Sequence, residues 1–246
     1  MSRGLVHILV LMAVLLAAPP VLAQSVAIDL GQGGAGATSR LVQLTALITV
    51  LSLAPSLLVM TTAFARIIIV LSLLRSALGT QGTPPNTVLI GLALFLTWFV
   101  MQPVLDQAWT QGLLPMSQGT IDEMEGLRRT AEPFRGFMAS NVRPDDLRLF
   151  LELAKLPDPA AGEPAPWRAL VPAFMVGELR RAFEMGFLLY LPFLVIEMVV
   201  ASVLMSLGMM MLPPNVVSLP FKLIFFVLVD GWRLVSGSLV QSFAPG

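Results

Sequence analysis

Residues 41–65 carry no charged side chain. Wound into a helix at 1.5 Å per residue, a stretch of that length outruns the roughly 30 Å hydrocarbon core of a bilayer. The stretch is not isolated. Residues 88–105 are also free of charge, residues 185–212 hold Glu197 as their one full charge, and residues 216–229 hold only Lys222. The chain has 15 basic and 15 acidic residues, and 20 of these 30 lie at 106–181. Two apolar blocks therefore flank one polar insert. With 12% charged residues, about half the soluble-domain norm, the composition is that of a membrane protein. Apolar runs broken by turn residues give an all-α expectation: membrane-associated helical hairpins around a helical polar insert.

Local signals divide the chain further. Arg3, an apolar run at 5–16, the Pro19-Pro20 break and the small residue Ala23 before Gln24 read as a signal peptide over 1–23, cleaved between Ala23 and Gln24. An uncleaved anchor helix is the alternative. Residues 24–40 are rich in Gly, Ser and Ala, as a flexible mature N-terminus would be. A first apolar hairpin occupies 41–105, a polar helical insert 106–184 and a second apolar hairpin 185–246. Pro55 is expected to kink the first run or divide it into two pieces. The sequence at 79–87 is turn chemistry, as is Leu212-Pro213-Pro214-Asn215. Within the insert, helices are expected at 121–129 and 145–156, the latter opened by Pro144 and two acids, and 156–166 reads as a loop. A cleaved leader would put the mature N-terminus outside the cytoplasm. Four apolar segments would return the C-terminus to that side, with the insert periplasmic.

The residues that could carry chemistry are few. There is no cysteine, and the one histidine, His7, lies in the leader. The usual zinc sites and His-based triads are thereby excluded from the mature chain. Zero net charge leaves no electrostatic footprint for nucleic acid. No phosphate-binding loop or EF-hand spacing is present, and Asp106, Glu178, Glu184, Glu197 and Asp230 form no recognisable catalytic set. The expectation is a non-enzyme with no cofactor and no metal. Met209, Met210 and Met211 stand where the third apolar run meets its turn. Flexible, polarizable methionines could form a deformable plug at a pore, or could simply fill gaps. Lys222 inside an apolar helix must snorkel or find a partner, with Glu178, Glu197 and Asp230 the possible carboxylates. Asp230, eight positions on, is taken to share its helix but to lie about 12 Å along it, too far to pair. Phe137 and Phe150 suit either a subunit interface or the core of the insert.

Long phrases carry a resemblance. Residues 41–104, the insert segment RPDDLRLFLELA at 143–154, and residues 171–239 with GELRRAF, IEMVVASVLMSLGMMMLPP and VDGWRLV resemble the FliP family of flagellar type III export-gate subunits. A virulence-secretion branch shares the methionine triplet and the DGW segment but lacks the leader, so residues 1–24 favour the flagellar branch. The resemblance implies a pore-forming gate subunit needed for flagellar protein export and flagellum assembly. It implies about five copies in a helical ring with FliQ and FliR, associated with FlhB and FlhA, and passing unfolded flagellar substrates. The expected location is the bacterial inner membrane in the flagellar basal body, with much of the chain on the periplasmic side and the apolar hairpins packed on one another. By the same resemblance Met209, Met210 and Met211 form the pore gasket, Glu178 and Lys222 an ion pair between neighbouring copies, and Phe137 and Phe150 contacts of the ring. The rival readings are a secondary transporter with paired hairpins and a non-conducting scaffold subunit.

Overall fold

The structure is a computed structural model that describes residues 45, 48, 49, 52, 53, 55–80, 82–160, 162–209 and 211–243. The expected leader, the Ala23–Gln24 cleavage site, the N-terminal stretch 24–40 and Met210 lie outside these residues. By contacts the chain divides into Met1–Ser52 and Leu53–Gly246. In the first unit the described residues are helical, with the Thr49 hydroxyl donating to Thr45 O at 2.8 Å. The second unit is helical throughout its described secondary structure, as the composition led us to expect.

In the second unit α1 (Pro55–Thr61) and α2 (Phe64–Leu78) meet at 84°. The bend is at Thr62–Ala63; Pro55 follows helical Ser52 and Leu53, with Ala54 outside the described residues. Thr62 accounts for it. Its hydroxyl donates back to Leu58 O at 2.5 Å and accepts from Phe64 N at 3.3 Å, so one side chain ends one helix and opens the next. Gly79 closes α2 in the left-handed region, and the expected turn leads into α3 (Asn86–Ala108).

The composition boundary at Asp106 is not an element boundary. α3 runs through Pro103, continues as a π-helical turn (Trp109–Leu113) and ends in α4 (Leu114–Ser117). The proline forfeits one backbone bond, and the intact turns on either side carry the helix past it. The insert then gives α5 (Glu123–Asn141) and α6 (Pro144–Leu153). α5 is far longer than the expected 121–129 because Asp122 caps it well, accepting from Glu125 N at 2.7 Å, and Pro133 fails to stop it. The Glu125 carboxylate takes hydrogen bonds from Arg128 and Arg129, which lower its pKa to about 2. Pro144 opens α6 as expected, but α6 ends at Leu153, which is exposed.

α7 (Trp167–Ser206) is a single helix of 40 residues that starts behind Pro166 and passes through Pro172 and Pro192. The expected domain boundary at 184–185 therefore falls in mid-helix. α8 (Pro214–Leu228) and α9 (Gly231–Gln241) follow, bent by 63°. Asp230 sits at the break with φ +51, so it does not share the helix of Lys222, and the eight-residue spacing argument fails.

α2 is the centre of the fold. Ile67, Val70, Leu71 and Leu74 are fully buried, packed with Ala93 of α3, Ala182 of α7, Phe226 of α8 and Leu239 of α9. A Cβ on Gly186 would collide with Leu73, so α2 and α7 meet at the distance that a glycine allows. A smaller cluster of Met138, Leu170 and Phe174 joins α5 to the start of α7. Among the described residues two helical stretches, Asn86–Ser117 and Trp167–Ser206, are long and apolar enough to cross a membrane, or up to four if each bent pair is one span. Only 11% of the most apolar window of α7 is buried within the chain, so most of that face needs lipid or another chain to cover it.

Candidate functional site

The buried end of the molecule is organised around a residue that sequence reading passed over. Arg66, in the first turn of α2, is 1% exposed and Glu178, on α7, is 0% exposed. Arg66 Nε donates to Glu178 Oε2 at 2.8 Å and Nη2 donates to Oε1, a two-pronged pairing that suits a planar guanidinium. Its Nη1 donates to the carbonyl of Ser242 at 3.0 Å and to its hydroxyl at 2.8 Å, satisfying a carbonyl just beyond the last turn of α9. The Phe243 ring covers the guanidinium at 3.6 Å. One cation thus ties α2, α7 and the end of α9. The signal for it was present. An arginine amid apolar residues is too costly to leave unpartnered, and Glu178 was already among the candidate carboxylates. What the sequence lacks is any local periodicity linking positions 112 apart.

Lys222 makes the second tie. It is 3% exposed. Nζ donates to Glu197 Oε2 at 2.6 Å and to Ala77 O at 3.1 Å. Snorkelling is thereby ruled out within the chain, and of the three possible carboxylates the partner is Glu197. Ala77 lies in the last turn of α2, so Lys222 neutralises the negative end of that helix while joining α7 to α8. Within one chain Glu178 and Lys222 do not pair with each other.

Phe137 lies between the two apolar clusters, edge-on to Phe174 with centroids 5.8 Å apart and stacked on Phe243 at 6.0 Å. It is a partly buried packing residue of this chain, and through Phe243 it backs the Arg66 cluster. Beside it opens a cleft of about 780 Å³ that includes Gln107, Glu132, Asn141 and Arg181. Phe150 is half-buried on α6.

The methionine segment lies at the opposite kind of place. α7 ends in a Schellman turn. Gly208 takes φ +72, Gly208 N donates to Met205 O at 3.1 Å and Met209 N donates to Leu204 O at 3.0 Å. Pro213 and Pro214 then start α8 without needing backbone donors there. The connection is short and fenced by a glycine and two prolines. It leaves Met209 48% exposed and Met211 98% exposed. The flanks are equally bare: Met205, Leu207 and Val216 are all more than half exposed. Among the described residues no group of three or more His, Asp or Glu side chains could hold a metal ion.

The sequence model of the FliP family matches residues 47–239. The flagellar biosynthetic protein FliP of Caulobacter vibrioides is 58% identical over 226 residues, which is 92% of this chain and 85% of that protein. That of Agrobacterium fabrum is 47% identical over 244 residues, 97% of this chain and 100% of that protein. That of Bacillus subtilis is 50% identical over 205 residues, 83% and 93% respectively. With the family matched across the helices that build both the buried ties and the methionine turn, the chain belongs to the FliP family.

Proposed function

We propose that the chain is a pore-forming core subunit of the flagellar type III protein export gate. Family membership supplies flagellar biosynthesis. The observation that carries the finer reading is the methionine turn, which offers Met209 and Met211 to the outside at the end of an apolar arm. A soluble monomer would not leave such a tip bare. In a ring the tips of several chains converge, and Met209, Met210 and Met211 close the axis as a gasket. Methionine re-packs easily, so an unfolded flagellar protein in transit displaces the side chains and they close behind it. The role needs no catalysis and no cofactor.

Roughly five copies would repeat head to tail into a helical ring, as heterologous contacts do. FliQ and FliR complete the pore, with FlhB and FlhA alongside. The assembly belongs in the bacterial inner membrane at the flagellar basal body, with much of the chain on the periplasmic side. The exposed apolar faces of α3, α7 and α8 are its natural contacts. Phe150 is available to a neighbour, and Phe137 acts from within by setting α5 against α7. An ion pair from Glu178 to Lys222 of the next copy would require the Arg66 fork to open, so assembly is assigned to the apolar faces first.

The test is the native mass of the full chain, co-expressed with FliQ and FliR and purified in mild detergent. Several copies carrying both partners support the gate. A monomer or dimer that ignores them contradicts it and favours a self-contained transporter.

A further inference from the structure

Lys222 joins three helices at one point. Its ammonium holds Glu197 of α7 at 2.6 Å and the α2 carbonyl of Ala77 at 3.1 Å, from a position on α8 that is 3% exposed. α2 is the fixed centre of the fold, so this point is anchored. From there α8 runs back eight residues, about 12 Å, to Pro214, and α7 runs on nine residues, about 14 Å, to Ser206. These two arms carry the methionine turn between them.

Beyond Lys222 the described residues of the arms share no polar tie. Among the described residues the Lys222–Glu197 bond is the one side-chain hydrogen bond between α7 and α8. The hydroxyls of Ser206 and Ser218 turn back to their own helices, onto Val203 O and Asn215 O. Between the arms runs an apolar groove of about 600 Å³, lined by Val199, Val203 and Leu204 on one side and Val217 and Phe221 on the other. Apolar contact is non-directional and fixes neither slide nor spread. A charge-assisted bond fixes both.

We propose that Lys222 and Glu197 are positioning residues for the methionine turn: they form a fulcrum that sets the spread of the α7 and α8 arms and so places the methionines. Only the last clause rests on the gate reading; the spread of the arms can be measured without it.

The chain has no cysteine, so Met205→Cys and Val216→Cys, both exposed sites on the two arms, accept nitroxide labels without background. Dipolar coupling between the labels is read in the full chain in detergent, with ion conductance of the same variants measured in planar bilayers. Glu197→Gln keeps the volume of the side chain and removes its charge, so it reports even if Lys222→Met fails to fold. Both substitutions are expected to shift the coupling to a longer and broader distance distribution. Lys222→Arg, which keeps the donors, is expected to retain the parent distribution. A parent-like distribution in Glu197→Gln at unchanged helicity overturns the fulcrum. A shifted distribution with parent conductance keeps the fulcrum and removes the gate.

Discussion

The base of the molecule and its tip are built on opposite principles. At the base Arg66 is buried and bonded to Glu178 and Ser242, and at the other end of α2, where the arms set out, buried Lys222 is bonded to half-buried Glu197 and to Ala77. At the tip, apolar groups are exposed, and the turn is held by backbone bonds, one glycine and two prolines. Ordinary soluble proteins do the reverse. Burying a charge pair is weak as a source of stability but demanding in geometry, because a misplaced partner leaves an ion stranded. Apolar surface demands only that something cover it. The base therefore fixes one arrangement of helices within the chain, and the tip is finished by whatever packs on it.

The contrast can be broken by mutation. The largest effect is expected at the Arg66 fork. Glu178→Leu strands a buried guanidinium and should cost about 3–5 kcal/mol, read as a lower unfolding midpoint in detergent, whereas adding Arg66→Met should restore most of the loss. If the double variant is as damaged as the single one, the fork is not what holds the base. Gly186→Val drives a side chain into Leu73. Overpacking of that kind should cost about 1–3 kcal/mol by the same measurement. At the tip, Met211→Ala should change stability by less than about 0.5 kcal/mol, since the side chain is 98% exposed. A loss comparable to that of Gly186→Val would mean that the methionine turn belongs to the core of its own chain.

The sequence disclosed much of this and concealed some of it for physical reasons. Apolar runs and turn chemistry gave the helical class, the turn before α3 and the turn between α7 and α8. For Lys222 the sequence left snorkelling and pairing both open, and its burial with the bond to Glu197 decides for pairing. Helix limits were misread where composition changes and structure does not. Asp106 and Glu184 mark where charge begins or ends, but α3 and α7 continue across both. Prolines do not mark the limits either: Pro103, Pro133, Pro172 and Pro192 all sit inside helices, and the bend between α1 and α2 lies at Thr62. The pairing of Arg66 with Glu178 was out of reach because nothing local encodes a contact across 112 positions.

If the methionine turn closes a pore, its removal is read as electrical conductance. The assembled complex carrying Met209→Ala, Met210→Ala and Met211→Ala together is compared with the parent in planar bilayers, at equal subunit content and helicity. A methionine gasket predicts an ion leak in the triple variant that the parent lacks. Conductance identical to the parent would contradict it and leave the methionines as surface without a gating role.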